Sequence, residues 1–215
     1  MIFNESVKND SNPVDKTEKF MFDGERLIQH IIKQRYFEEE ISNEVNLSYS
    51  DNQVTVTTDY PTLVYTLNSE GYASQCVYSL SSQNRIYQFS YSAEGYLTGI
   101  VENIDNTEYS STSLTYENGD ITSISSKMNG LENKFIYEPG EESSTYHLPC
   151  LGLLEIHPLT FHIEALYAGL LGKDPRHFTI RSCPAGSNDE KTIYSYEFDK
   201  KGNPSRMICQ TTYAG

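Results

Sequence analysis

The sequence has no tryptophan and only four cysteines in 215 residues. Cys76, Cys150, Cys183 and Cys209 form no Cys-x-x-Cys pair, and their spacings match neither a zinc site nor a dithiol redox motif. If all four oxidise, three pairings are open, with Cys150–Cys183 favoured because the two flank the one helical segment described below. The simpler expectation is four reduced, mostly buried thiols acting as small hydrophobes. Basic residues are scarce too: 16 Lys and Arg face 30 Asp and Glu, a net charge of −14. That balance excludes nucleic acid and anionic membrane surfaces as partners, since both select clustered Lys and Arg. No apolar run reaches the 18 residues of a membrane-spanning helix. Residues 1–17 lack the apolar stretch of a secretory signal. Phosphate loops, G-x-G-x-x-G and the G-x-S-x-G nucleophile elbow are missing as well. Hydrophobic residues make up 37%, which suits antiparallel sheets with one solvated face.

What the chain has instead is tyrosine, 17 residues of it, beside 9 phenylalanines, set in a repeat. Gly71, Gly95 and Gly119 stand 24 residues apart, within segments 62–80, 86–104 and 110–128. Segment 193–212 follows the same grammar around Gly202, and Gly24 begins it within residues 19–31. An alternating stretch comes first, as in Tyr87, Phe89, Tyr91 or Tyr194, Tyr196, Phe198, with polar residues between. Period two marks a half-buried strand, so these six aromatics are expected on the core side. A glycine turn follows, then a returning strand. On the return, apolar residues recur at an offset of three: Ala73 and Cys76, Leu97 and Ile100, Ile121 and Ile124, Pro204 and Met207. An offset of three breaks strand parity, and one extra residue per return strand is what a β-bulge inserts. Residues 44–59 form a further hairpin around Asp51-Asn52, and residues 132–148 a weaker one around Pro139-Gly140.

The chain therefore reads as mainly all-β: an antiparallel meander of about seven hairpins, roughly fourteen strands, forming a curled sheet or barrel. Residues 1–17 are expected to be a mobile arm or an edge segment, and residues 18–215 a single hairpin-repeat domain. One stretch differs. Ile163, Leu166, Tyr167, Leu170 and Leu171 share one helical face, with Thr160 placed to cap the start, Gly172 past the end and Pro175 preventing continuation. A helix of about three turns near residues 160–171 should pack on an end or flank of the sheet.

The unit Tyr-x-x-x-Gly-x-apolar, clearest in residues 198–203 (FDKKGN), resembles the tyrosine-aspartate repeats of Rhs-type shell proteins. The hairpins of 62–128, residues 165–173 (ALYAGLLGK) and residues 194–207 (YSYEFDKKGNPSRM) together resemble a Bacteroidetes cell-envelope domain of unknown function with a porin-like fold. The resemblance spans residues 18–213. It implies an envelope location, in a family whose members are often lipoproteins, and it brings no catalytic residues.

Membrane strands need about 9–11 residues. The alternating stretches here read as 6–8, with tyrosines in mid-strand rather than in terminal girdles, so transmembrane insertion is not expected. His157, His162 and Glu164 lie close in sequence, but five residues and a proline separate the histidines, which suits an ordinary helix-start surface better than a metal site. Glu38-Glu39-Glu40 and Glu141-Glu142 read as solvated connections, unpaired for glycosidase chemistry. No catalytic residue, metal or cofactor is assigned. The expected function is a non-enzymatic envelope protein, structural or ligand-binding, with a glycan or another envelope protein as partner. The alternatives are a glycan-active hydrolase, marked by a cleft with convergent carboxylates, and a carrier of a small apolar ligand, marked by a deep cavity.

Overall fold

A computed structural model describes residues 2–7, 14–36, 39–58, 62–80, 83–143, 153, 156–187, 189–200 and 204–213. They contain 15 strands in two compact units, residues 1–86 and 87–215. The first unit holds β1 (Ile2–Val7), β2 (Val14–Asp23), β3 (Arg26–Tyr36), β4 (Glu39–Tyr49), β5 (Gln53–Thr57), β6 (Thr62–Leu67) and β7 (Ala73–Leu80). β8 (Gln83–Tyr91) begins just before the boundary. The second unit continues with β9 (Leu97–Ile104), β10 (Thr107–Glu117), β11 (Asp120–Met128), β12 (Leu131–Ser143), β13 (His177–Pro184), β14 (Lys191–Phe198) and β15 (Pro204–Thr212). Within each unit the strands lie in sequence order as an antiparallel meander. Among the described residues β1 does not pair with β7, nor β8 with β15, so neither unit closes into a barrel of its own. β1 is the edge strand beside β2.

The bulges stand where the offset of three places them. Ala73 faces Leu67 and Gln75 faces Thr66, which leaves Ser74 as the extra residue. Thr122 is extra between Ile121 and Ser123, Ser205 between Pro204 and Arg206, and Ile28 between Leu27 and Gln29. Ser74, Thr122 and Ser205 each turn a hydroxyl back across the hairpin, donating to the carbonyls of Thr66, Thr115 and Glu197 at 3.1, 3.2 and 3.1 Å. The bulge returns both flanking residues to the inner face, so Ala73 and Cys76 and Ile121 and Ile124 are buried; Leu97 and Ile100 are buried as well. The first hairpin obeys the same rule with Leu27 and His30, and His30 stacks on Phe20 at 4.1 Å.

The turns are of two kinds. Asn68 and Ser92 cap the glycine turns of their hairpins identically, each side-chain oxygen accepting two backbone N–H groups, from Glu70 and Tyr72 or from Glu94 and Tyr96. At Asn118-Gly119 both residues have positive φ, 53° and 90°, giving the two-residue hairpin turn that matches strand twist.

Four expectations about strands are corrected. Pro139-Gly140 makes no hairpin: β12 runs straight through to Ser143, with register shifts against β13 on both sides of Pro139. Proline is tolerated there because the irregularity removes the ladder bond it cannot donate. A Cβ on Gly140 would lie 2.6 Å from Ile180 Cγ2, so glycine serves close strand approach, not a turn. Glu39, Glu40, Glu141 and Glu142 are exposed but lie in β4 and β12 instead of connections; Glu38 falls outside the described residues. Strands run from 5 to 13 residues, so the 6–8 estimate was short, and length does not separate them from membrane strands. Of the six named aromatics, Tyr87, Phe89 and Tyr194 are buried and Tyr91 and Tyr196 half-buried, but Phe198 is 36% exposed. It sits at the end of β14, where the tilted ring of Phe178 lies 5.9 Å away. The cysteines also differ from expectation: Cys76 is buried, Cys183 half-buried and Cys209 exposed on β15, with no disulfide among them, and Cys150 lies outside the described residues. Burial pushes the Cys76 thiol up to about 12.

The inserted segment is less helical than its periodicity. It comprises a 3-10 turn, Leu159–Phe161, and α1, Ile163–Tyr167. Thr160 lies inside the 3-10 turn, and His162, at the N-cap position, makes no side-chain cap. The stop comes at Gly169, three residues before Gly172. Gly169 adopts φ 69°, its N–H reaches Leu166 O, and Leu170 N–H reaches Ala165 O. This is the Schellman ending. The apolar stripe continues past it because Leu170 and Leu171 are buried by packing instead of by helix geometry. Leu159, Leu166 and Tyr167 are buried with them, whereas Ile163 is only half-buried. Leu166→Ala should therefore lower unfolding free energy by about 2–5 kcal/mol in urea titration. Ile163→Ala should cost distinctly less, and equal losses would contradict this facing.

Candidate functional site

Polar side chains of the second unit converge under the insert on one carboxylate. Glu102, on β9, is fully buried. Its position follows from strand parity, two residues beyond the buried Ile100 on the inner face. Ser110 from β10 donates to Oε2 at 2.8 Å, and His157 Nε2 lies 2.7 Å from the same oxygen. Tyr87 from β8 donates to Oε1 at 3.1 Å. Burial alone would raise the Glu102 carboxyl; hydrogen bonds from His157, Ser110 and Tyr87 outweigh it and hold the group below the ordinary range. The His157 backbone is fixed as well, its carbonyl accepting from Thr112 at 3.2 Å and Ser126 at 3.4 Å. Five residues on, His162 is fully buried, its ring edge-on to Tyr87 at 4.4 Å and Phe89 at 5.4 Å. The helix-start surface read for these histidines is thus corrected: they are wedged between the insert and the sheet. Burial holds His162 neutral, its pKa lowered to about 3.

The chemistry of this cluster is that of a fastening. A serine nucleophile needs an imidazole to take its proton. Here Ser110 and His157 both address the carboxylate and, among the described residues, no serine hydroxyl bonds the His157 ring. Glu164 lies half-buried in the first turn of α1. Among the described residues, no three His, Cys, Asp or Glu side chains are grouped to hold a metal ion. A cavity beneath the insert, lined by Leu97, Tyr116, Leu166, Leu171 and Pro175 among others, has about 20 Å³, room for a water molecule. It does not provide the volume an apolar ligand requires.

Backbone contacts clasp the other end of the insert to the hairpin turns. Lys173 N–H donates to Gly95 O at 2.9 Å and Arg176 N–H to Gly119 O at 3.1 Å, while Tyr91 donates to Leu170 O at 3.3 Å. Asp120 accepts from the backbone N–H of His177 and lies 2.8 Å from its Nδ1. Two aromatic groups lie in the same unit, the first at the clasped turns. Tyr96 and Tyr116 lie 5.0 Å apart with planes tilted by 31°. Phe178 packs on Tyr196 at 4.7 Å, and Phe198 adds the exposed edge. Neither Asp120–His177 nor the Glu102 cluster stood out in the sequence, because each joins residues 55–57 positions apart. The one available signal was polar residues standing at inward parity, as Glu102 does after Leu97 and Ile100.

An all-β meander with a fastened insert and no enzyme-like cleft in the described part defines a hairpin-repeat module. The chain belongs to the family described as a domain of unknown function (DUF4595) with porin-like fold, whose profile matches residues 20–206. It is also similar to a porin-like protein from Bacteroides uniformis known by crystal structure, with 26% identity and a TM-score of 0.87 over 98% of this chain and 92% of that one. No curated protein matches the chain.

Acid should loosen the second unit. A histidine whose folded pKa is depressed binds fewer protons folded than unfolded. Stability is then fully present above its unfolded value near 6.5 and falls as pH drops toward 3, by up to about 1.4 kcal/mol per pH unit. Glu102, also depressed, adds loss below its ordinary 4.5. His162→Phe should flatten urea stability between pH 6.5 and 4.5; an unchanged slope would rule out His162 as the source. Glu102→Gln should cost about 1.5–3 kcal/mol at pH 7.

Proposed function

We propose that this chain is a non-enzymatic module of the bacterial cell envelope that binds a glycan. The observation that carries the reading is the division of labour in the second unit: its buried polar groups hold the insert down, while the half-buried Tyr96 and Tyr116 pair at the clasped turns. Tyrosine rings with a flat apolar face and a polar tip suit stacking against sugars. The envelope location is supported by the family and by the Bacteroides relative. Hydrolysis is disfavoured because the buried carboxylates Glu102 and Asp120 are each engaged by a histidine. The module works without membrane insertion: the polar face of β10 carries Ser113, Thr115 and Glu117 to the surface.

Three measurements test this. The protein expressed in a Bacteroides host should fractionate with the envelope, and the purified chain should remain soluble and folded without detergent. Retained envelope polysaccharide should shift it on affinity electrophoresis, and Tyr96→Ala should reduce the shift at least fivefold. Cytosolic fractionation, detergent-dependent folding or the absence of any shift would each count against the reading.

A further inference from the structure

We infer that the Tyr96–Gly119–Arg176 junction is a binding subsite for the carboxylate of an acidic sugar, a deepening that rests on the glycan reading above. Gly119 is the keystone. Its φ of 90° serves the turn, but its missing side chain serves the junction: a Cβ there would lie 2.6 Å from the Tyr96 hydroxyl and 2.9 Å from Arg176 Cδ. The two side chains thus converge over bare backbone from β9's turn and from the end of the insert. The Arg176 N–H bond to Gly119 O fixes the arginine's base. Its side chain is exposed and makes no ion pair among the described residues, in a chain carrying 30 acidic residues against 16 basic.

The neighbouring charges are mixed: Glu117 is exposed two residues before Gly119, Asp174 is half-buried two residues before Arg176, and Lys173 acts on the Glu94 carboxylate. Asp120, next to Gly119, already faces His177 through both oxygens. Lys173 stands exposed three residues before Arg176. A guanidinium is a planar fork that grips a carboxylate with two parallel hydrogen bonds. The tilted Tyr96–Tyr116 pair beside it supplies an apolar surface for the sugar ring. The overall charge of −14 repels a long polyanion, so the fitting ligand is a mostly neutral glycan bearing an isolated uronate.

The test uses the full chain and two probes: a xylo-oligosaccharide carrying one glucuronate, and the same oligosaccharide without it, titrated by calorimetry and by NMR. The acidic probe should bind at least tenfold tighter. Arg176→Lys, which keeps stem and charge but loses the fork, should reduce that preference at least threefold, and Arg176→Ala should abolish it, so that the two probes bind that variant equally. Tyr96→Ala should weaken both probes, and Gly119→Ala should weaken both by displacing Tyr96 and Arg176. Thermal melts confirm that the Arg176 variants fold. Equal binding of the two probes, or a preference that survives Arg176→Ala, overturns the carboxylate subsite while the glycan reading stands. Binding of neither probe overturns the subsite; the envelope-polysaccharide shift then decides the broader reading separately.

Discussion

An antiparallel sheet can carry apolar residues on a face only if something covers that face, and in the second unit the cover is supplied by residues 156–176. Leu97, Ile100, Leu114, Ile121 and Ile124 line the inner side of β9–β11, and Leu159, Leu166, Leu170 and Leu171 are buried in the insert. Apolar burial of this kind is strong but without direction. Direction comes from polar contacts at the two ends: the Glu102 cluster at one and the backbone clasp on Gly95 and Gly119 at the other. Removing one end would leave the apolar contact intact but free to slide.

The repeated bulge solves a related problem. A regular strand returning from a turn alternates faces, and the residue nearest the turn would then leave the core. One extra residue restores it. Where that residue is Ser74, Thr122 or Ser205, its hydroxyl occupies the carbonyl opposite, so the interruption of the ladder leaves less backbone unsatisfied. At Ile28 the same bulge carries no hydroxyl, and the inward position three residues after Leu27 is taken by His30. Lys16, at 2.7 Å, and His30, at 3.6 Å, lie against Glu18, whose carboxyl burial would raise; these two neighbours hold it low. Both units thus place a histidine–carboxylate contact at an otherwise apolar inner face.

Much of this was legible in the residue order. Alternation and offsets of three are local, so the hairpins around Gly24, Gly71, Gly95 and Gly119 and the bulges at Ser74, Thr122 and Ser205 could be read directly. The misreadings share one cause, a local signal overruled by a distant neighbour. Pro139-Gly140 has the composition of a turn, yet Ile180 needs the space that Gly140 leaves. Leu170 and Leu171 continue a helical stripe, yet Gly169 ends the helix and packing alone buries them. Phe198 has the parity of a core residue, but parity fixes a direction and cannot say whether anything lies there to cover it. The fastening cluster was invisible because Glu102 meets His157 across 55 residues and a serine and a tyrosine from two other strands.

That separation also sets an order of assembly. Apart from β12 and β13, which pair across residues 144–176, each strand pair within a unit joins sequence neighbours through a short loop and can form as soon as its own residues are available. The insert is the exception. Its bonds reach back 55 residues from His157 to Glu102 and 79 from Leu170 to Tyr91, and they require β8 to β11 to be already in place. Loop-closure entropy therefore concentrates on this one docking event. Until it occurs, the inner face of those strands is uncovered apolar surface. For a chain synthesised from its N-terminus, that surface is completed some thirty residues before its cover, and during that interval the growing protein depends on whatever else can shield it.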